Sequence, residues 1–110
     1  SHASEFLTLN GYEIIQKNWR FQHKEIDIIA KKGGVLAFIE VKTRTNDLHT
    51  DPKESVNNKK QKNLILAAEG YIEKFNINDE IRFDIISIVK NQHKISIEHI
   101  PNAFHPLTTR

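Results

Sequence analysis

The sequence predicts an α/β fold, a mixed β-sheet flanked by helices, and three observations carry that prediction. Runs rich in Ile, Val, Phe, Tyr and Trp read as strands over 12–21, 23–32, 35–42, 81–90 and 94–100. A helical apolar period occupies the stretch from Asp51 to about Lys74. The whole segment 43–80 is long enough to return the fourth strand parallel to an earlier one. A chain of 110 residues fits a single domain spanning 1–110.

Residues 3–10 read as the end of a helix, with Phe6, Leu7 and Leu9 apolar and Asn10-Gly11 as a stop. Tyr12 to Phe21 follows as the first strand. His23–Lys32 and Val35–Lys42 form a hairpin, because Gly33-Gly34 suits a two-residue turn. Thr43–Asp51 is polar and reads as a loop. Asp51 as N-cap and Pro52 at the first helical position open the long helix. Its inward stripe is Val56, Leu64, Ala67, Tyr71 and Phe75. Ile81–Lys90 and Lys94–Ile100 are joined by Asn91-Gln92, and Pro101 ends the last strand.

Composition removes several functions. Without Cys there is no disulfide framework, thiolate zinc site or cysteine nucleophile. No membrane-spanning run or signal-peptide core is present, so a cytoplasmic protein is expected. No Walker loop, GxSxG elbow or dinucleotide fingerprint occurs. The formal net charge of +2 does not announce a polyanion partner, so the placement of charges must decide. The chain has no Met, not even an initiator, and its N-terminus is expected to be trimmed, with Ser1-His2-Ala3 set aside as a remnant.

The hairpin carries the chemistry. A two-residue Gly33-Gly34 turn sets Asp27 opposite Glu40 and Glu25 opposite Lys42. Alternation groups Glu25, Asp27, Ile29, Leu36, Phe38, Glu40 and Lys42 on one face, and Ile26, Ile28, Ala30, Val35, Ala37, Ile39 and Val41 on the other. Facing carboxylates in a covered sheet repel and cost desolvation, which a hard cation such as Mg²⁺ or Mn²⁺ would relieve. Lys42 could then orient water or stabilise charge developing on an attacked phosphate. The same spacing also fits an ordinary Glu25–Lys42 ion pair with Asp27 at a solvated sheet end.

Glu25-Ile26-Asp27-Ile28-Ile29-Ala30, followed by Phe38-Ile39-Glu40-Val41-Lys42-Thr43-Arg44, resembles the YraN-like family of uncharacterised proteins, which shares a GEIDLIA…FVEVKxR pattern. Gly11-Tyr12, Asn18-Trp19-Arg20, Arg82-Phe83-Asp84 and Asn102-Ala103-Phe104 match further marks in the same order, so the resemblance covers nearly the whole chain. That family is in turn similar to Holliday-junction resolvases and the PD-(D/E)XK nucleases. The resemblance implies a restriction-endonuclease-like core, DNA as substrate (branched DNA included), and Mg²⁺ or Mn²⁺ as cofactor. By analogy with archaeal resolvases, it also implies a homodimer.

Residue by residue, the resemblance makes Asp27 the first metal-binding carboxylate, and Glu40 and Lys42 the acidic residue and lysine of the (D/E)XK element. Glu25 matches an acidic position with no assigned role. Lys60-Gln61 matches a lysine–glutamine pair, and Lys60 either snorkels to water or reaches into the site. With Lys42, Arg44, Lys53, Lys59 and Lys62, these residues outline a phosphate-tracking surface whose plainer reading is a solvated helix face.

The chain departs from the family at Lys24, where the pattern has Gly. Related nucleases also carry a Glu on the first helix three residues before an Ala. Aligning on Gly11-Tyr12 makes that Ala Ala3 and puts the Glu ahead of Ser1; Glu5 has the wrong spacing. Trp19 and Phe21 read as core ahead of base-stacking groups, His93 and His99 as partly buried fillers, and Arg82 with Asp84 as a structural pair. The expectation is therefore a metal-dependent endonuclease. Its rivals are a nucleic-acid-binding or interaction module of the same fold without the chemistry, and a structural partner in a larger assembly.

Overall fold

A computed structural model of the chain describes residues 1–45 and 56–106. Among the described residues, two helices and five strands follow in the order α1 His2–Leu9, β1 Glu13–Phe21, β2 Lys24–Lys32, β3 Val35–Arg44, α2 Asn58–Phe75, β4 Glu80–Asn91 and β5 Lys94–Phe104. The strands form one mixed sheet in the order β1-β2-β3-β4-β5. Only β3 and β4 run parallel among its neighbours, as the long connection between them requires.

The sheet is covered on both faces. Against one lies α2, whose Leu64, Ala67, Ala68 and Tyr71 join Ile29, Phe38, Phe83 and Ile85. On the other, Ala3 and Leu7 of α1 meet Ile28, Ala30, Ile39, Ile86 and Ile88. An eight-residue helix is marginal alone in water, so its packing holds α1 in place. Burial of Leu7, completely enclosed, contributes about 2 kcal/mol. Ser1-His2-Ala3 therefore belongs to the fold: Ser1 caps α1 and Ala3 is in the core.

The Gly33-Gly34 turn gives the expected register, with Ile28 facing Ile39, Ala30 facing Ala37 and Lys32 facing Val35. Several other boundaries shift. The long helix begins at Asn58, because Asn57 caps it by accepting from Lys60 N–H at 3.0 Å. The expected cap at Asp51-Pro52 lies outside the described residues. Left-handed Asn76 (φ 52°) terminates the helix, and Phe75, expected to face inward, is about half exposed against Tyr71. The last turn uses Gln92-His93, so His93 is exposed rather than a filler.

Strand β5 does not stop at Pro101. It is an edge strand, where a missing N–H is tolerated, and Pro101 falls in a bulge with left-handed Asn102 (φ 52°) before pairing resumes at Phe104 with Phe83. Trp19 and Phe21 stack on each other and pack half-buried against the α2-side core, as their core reading expected.

Asp84, within β4 and level with Ile39 of β3, organises the β4–β5 side of the sheet. It is fully buried and accepts from Arg82 Nε and Nη2, each at 2.8 Å, and from Asn102 N–H at 3.0 Å. His99 Nε2 is 2.7 Å away, and Arg82 also donates to the Tyr12 hydroxyl. The expected Arg82–Asp84 pair is thus the centre of a cluster tying β5 and the segment after α1 to β4. Burial pushes the Asp84 carboxyl up, but hydrogen bonds from His99, Arg82 and Asn102 outweigh it and hold it below its ordinary value. Its stabilising contribution is present above the unfolded carboxylate range and is lost as pH falls through the lower folded value. Asp84→Ala leaves the Arg82 guanidinium without its anion, and a loss of about 3–5 kcal/mol is expected. Urea denaturation reads this directly, and a loss below about 1 kcal/mol would refute the anchoring role.

Candidate functional site

The site begins where β2 and β3 separate. Their ladder ends at Ile28 and Ile39, and beyond it the backbone N–H of Val41 donates to the Asp27 carboxylate (Oδ2) at 2.8 Å. The side chain of Asp27 takes the place of a neighbouring strand carbonyl and lies in the seam between the strands. Across β1, Asn18 stands opposite Asp27 with φ 54°, a left-handed conformation that Asn tolerates better than most residues. Lys17 pairs with Ile28 and Trp19 with Ile26, while the residues between them do not pair.

Both strands change face at this point. Ile26 belongs to the α2-side core with Ile29, whereas Ile28 and Ala30 belong to the α1-side core. Strict alternation placed Ile26 with Ile28, and the break at Asp27 and Asn18 overturns that grouping. It also takes Glu25 away from Lys42. Glu25 instead pairs with Arg20 of β1 at 3.4 Å, so the Glu25–Lys42 ion pair does not form.

Glu40 and Lys42 lie on the α2 side of β3, in line with buried Phe38. Glu40 lies beside Asp27, close enough to share a hydrogen bond when protonated, and Lys42 and Lys60 lie close enough to act on its charge. Burial, then the Asp27 charge and the shared hydrogen bond, push the Glu40 carboxyl up to about 7 against the smaller pull of the two lysines. Lys42 falls below the usual lysine value, mainly because the neighbouring Lys60 can donate to its amine only when Lys42 is neutral, then through burial and the Lys60 charge. The structure thus brings Asp27, Glu40, Lys42 and Lys60 together.

The other expected residues play different parts. Gln61 Nε2 donates to the Val56 carbonyl at 2.9 Å, and Arg44 Nη2 donates to Ser87 Oγ at 3.2 Å, so both also have structural work. Lys59 and Lys62 are exposed on α2, and Lys53 lies outside the described residues. On the α1 side, Asp27 also lines a cleft of about 410 Å³ that reaches Ser1 and His2 at the start of α1. Glu5 lines a separate groove, away from Asp27. Among the described residues no group of three His, Cys, Asp or Glu converges.

Two oxygen donors held together at a half-buried point suit a hard divalent cation that completes its shell with water or a phosphate. Mg²⁺ is commonly held by one or two carboxylates in this way, so the donors present fit it. Sequence reasoning noted Asn18 only as part of the Asn18-Trp19-Arg20 mark and missed its left-handed conformation, whose only local signal is the tolerance of Asn for positive φ. It also missed His99 as a partner of Asp84, since the bulge that brings them together is invisible to alternation.

A raised Glu40 has a defined pH signature. The folded chain binds more protons than the unfolded one between the ordinary carboxylate value and about 7, so stability falls as pH rises through that window. In chelator, Glu40→Gln should stabilise the protein at pH 8 by roughly 1–2 kcal/mol, after allowing for solvent screening of a partly exposed group. Near pH 4 it should change little. Thermal melts at the two pH values test this, and equal shifts at both would contradict it.

Comparison with known proteins gives the chain its place. The profile of "Uncharacterised protein family UPF0102" matches residues 1–88. A UPF0102 protein of Parabacteroides distasonis is 39% identical over 105 residues, covering 96% of this chain and 87% of the relative. One of Christiangramia forsetii is 44% identical over 102 residues, covering 93% and 86%. Another, from Chlorobaculum parvum, is 43% identical over 111 aligned positions, covering 93% and 84%. With its hairpin motif, its fold and this breadth of match, the chain belongs to the YraN-like UPF0102 family.

Proposed function

We propose that the protein is a metal-dependent endonuclease with a PD-(D/E)XK core, hydrolysing DNA phosphodiesters, branched DNA included. The observation that carries this reading is the pressed-together Asp27–Glu40 carboxyl pair with Lys42 and Lys60 beside it. Carboxyl pairs held together with one member raised in this way cluster at functional sites.

Asp27 and Glu40 would hold Mg²⁺ or Mn²⁺. Such an ion supplies Lewis acidity at the scissile phosphate and a nucleophile at neutral pH. Asp27 is oriented by Val41 N–H, which fixes one carboxylate oxygen and leaves the other to bind. Lys42 places an ammonium next to the pair, where it can orient water or offset charge growing on the phosphate oxygens. Lys60 adds a second positive charge from α2 beside the same pair. Lys59, with Arg44 and Gln61 farther along the face, supplies the approach for the DNA backbone.

One observation favours a second reading, a nucleic-acid-binding module without catalysis: among the described residues no third acidic or histidine ligand joins the pair. Two measurements separate the readings. Titrating Mn²⁺ calorimetrically into wild type should give binding heat that Asp27→Ala abolishes, and equal heats would refute the metal site. Lys42→Ala should retain Mn²⁺ binding while lowering cleavage of four-way-junction DNA about 10²–10³-fold, the usual cost of losing one group that stabilises developing charge. If wild type cuts neither junction nor plain duplex across a metal series, the non-catalytic reading takes its place.

A further inference from the structure

The cleft under α1 has more built into it than the wall formed by Asp27. At about 410 Å³ it falls in the size range of pockets that enclose a small organic group. Ala3, Ile28, Val41 and Ile88 give it an apolar floor, continuous with the α1-side core. The Asn18 amide and Thr43 hydroxyl add hydrogen-bonding groups to the lining.

Two cations complete it. Lys17 stands on β1 and Lys90 on β4, so they flank β2 and β3 from opposite sides. Both are exposed, and neither forms an ion pair among the described residues. An apolar floor, hydrogen-bonding groups and a cation on each side match the parts of a nucleotide in a strand: base, base edge and the phosphates before and after it. A stacked duplex cannot present a base to such a cleft, whereas an unpaired nucleotide can.

We propose that this cleft takes up one unpaired nucleotide next to the phosphodiester held at Asp27 and Glu40, with Lys17 and Lys90 on the flanking phosphates. The inference rests on the nuclease reading and deepens it. It assigns a preference for nucleic acid with an unpaired nucleotide beside the scissile bond, and it adds two residues on the sheet face opposite Lys42 and Lys60. Asp27, lying in the seam between β2 and β3, is the link between the two faces.

The test is fluorescence anisotropy of labelled DNA with the intact chain, with Ca²⁺ replacing Mg²⁺ to hold back cleavage. A duplex carrying a one-nucleotide bulge should bind about tenfold tighter than its fully paired counterpart, and an abasic bulge should lose that advantage. Replacing both lysines, Lys17→Ala with Lys90→Ala, should remove the discrimination and reduce the slope of log affinity against log salt by about 2. Both side chains are exposed, so the double variant is expected to fold, and a matching thermal melt checks it.

Equal binding of bulged and paired DNA by wild type, or a double variant that keeps both discrimination and slope, overturns this inference alone. Absence of binding to any DNA overturns the nuclease reading with it. Competition by a free deoxynucleoside monophosphate at the affinity of the bulged duplex also overturns it, marking the cleft as a site for free nucleotides.

Discussion

The hydrogen bond from Val41 N–H to the Asp27 carboxylate is the constraint on which the candidate site depends. Where it forms, β2 stops pairing with β3, yet the backbone donor is still satisfied, so the sheet can open without leaving a buried N–H unmet. The same bond fixes the direction of Asp27 and so the distance at which Glu40 must sit. A side chain at position 27 without an acceptor would leave Val41 N–H unmet and change strand pairing and site geometry together.

The two helices divide the surroundings of that seam. From α2, Lys60 reaches the pair on the side where Phe38 and Tyr71 form the core, while the start of α1 roofs a cleft on the other side. Since α1 is too short to be stable alone, its position depends on Leu7 and on the Asp84 cluster, which ties Tyr12 and His99 to β4. Folding energy from the Asp84 cluster, which stands on β4 beside Ile39 of β3, thereby places the roof of the cleft.

Local rules were legible wherever the chain is regular. The Gly33-Gly34 turn gave the hairpin register, and apolar periodicity gave five strands and a crossover helix in the right order. The approach of Glu40 and Lys42 to Asp27 could be read from spacing, and helical angle left Lys60 either snorkelling or reaching the site; it is exposed, yet lies beside Glu40 and Lys42. Reading failed where backbone geometry departs from its period. Left-handed Asn18 reverses the faces of Ile26 and Glu25, and the bulge at Pro101-Asn102 lets β5 continue and delivers His99 and Asn102 to Asp84. Both departures are tertiary choices among conformations that Asn allows but does not demand. The basic rims at Lys17 and Lys90 have no local signature at all, because they meet only once β1 and β4 lie on either side of the hairpin.

The two irregular asparagines have one more consequence, for association. Both strands at the margins of the sheet carry an interruption: β1 at Asn18, with charged Glu13, Lys17 and Arg20 along it, and β5 at Pro101-Asn102. A straight row of open backbone donors and acceptors invites another chain to add a strand, and kinks, charges and proline are the usual ways of denying it. The interruptions at Asn18 and Pro101-Asn102 thus work against growth of the sheet at those points of its margins.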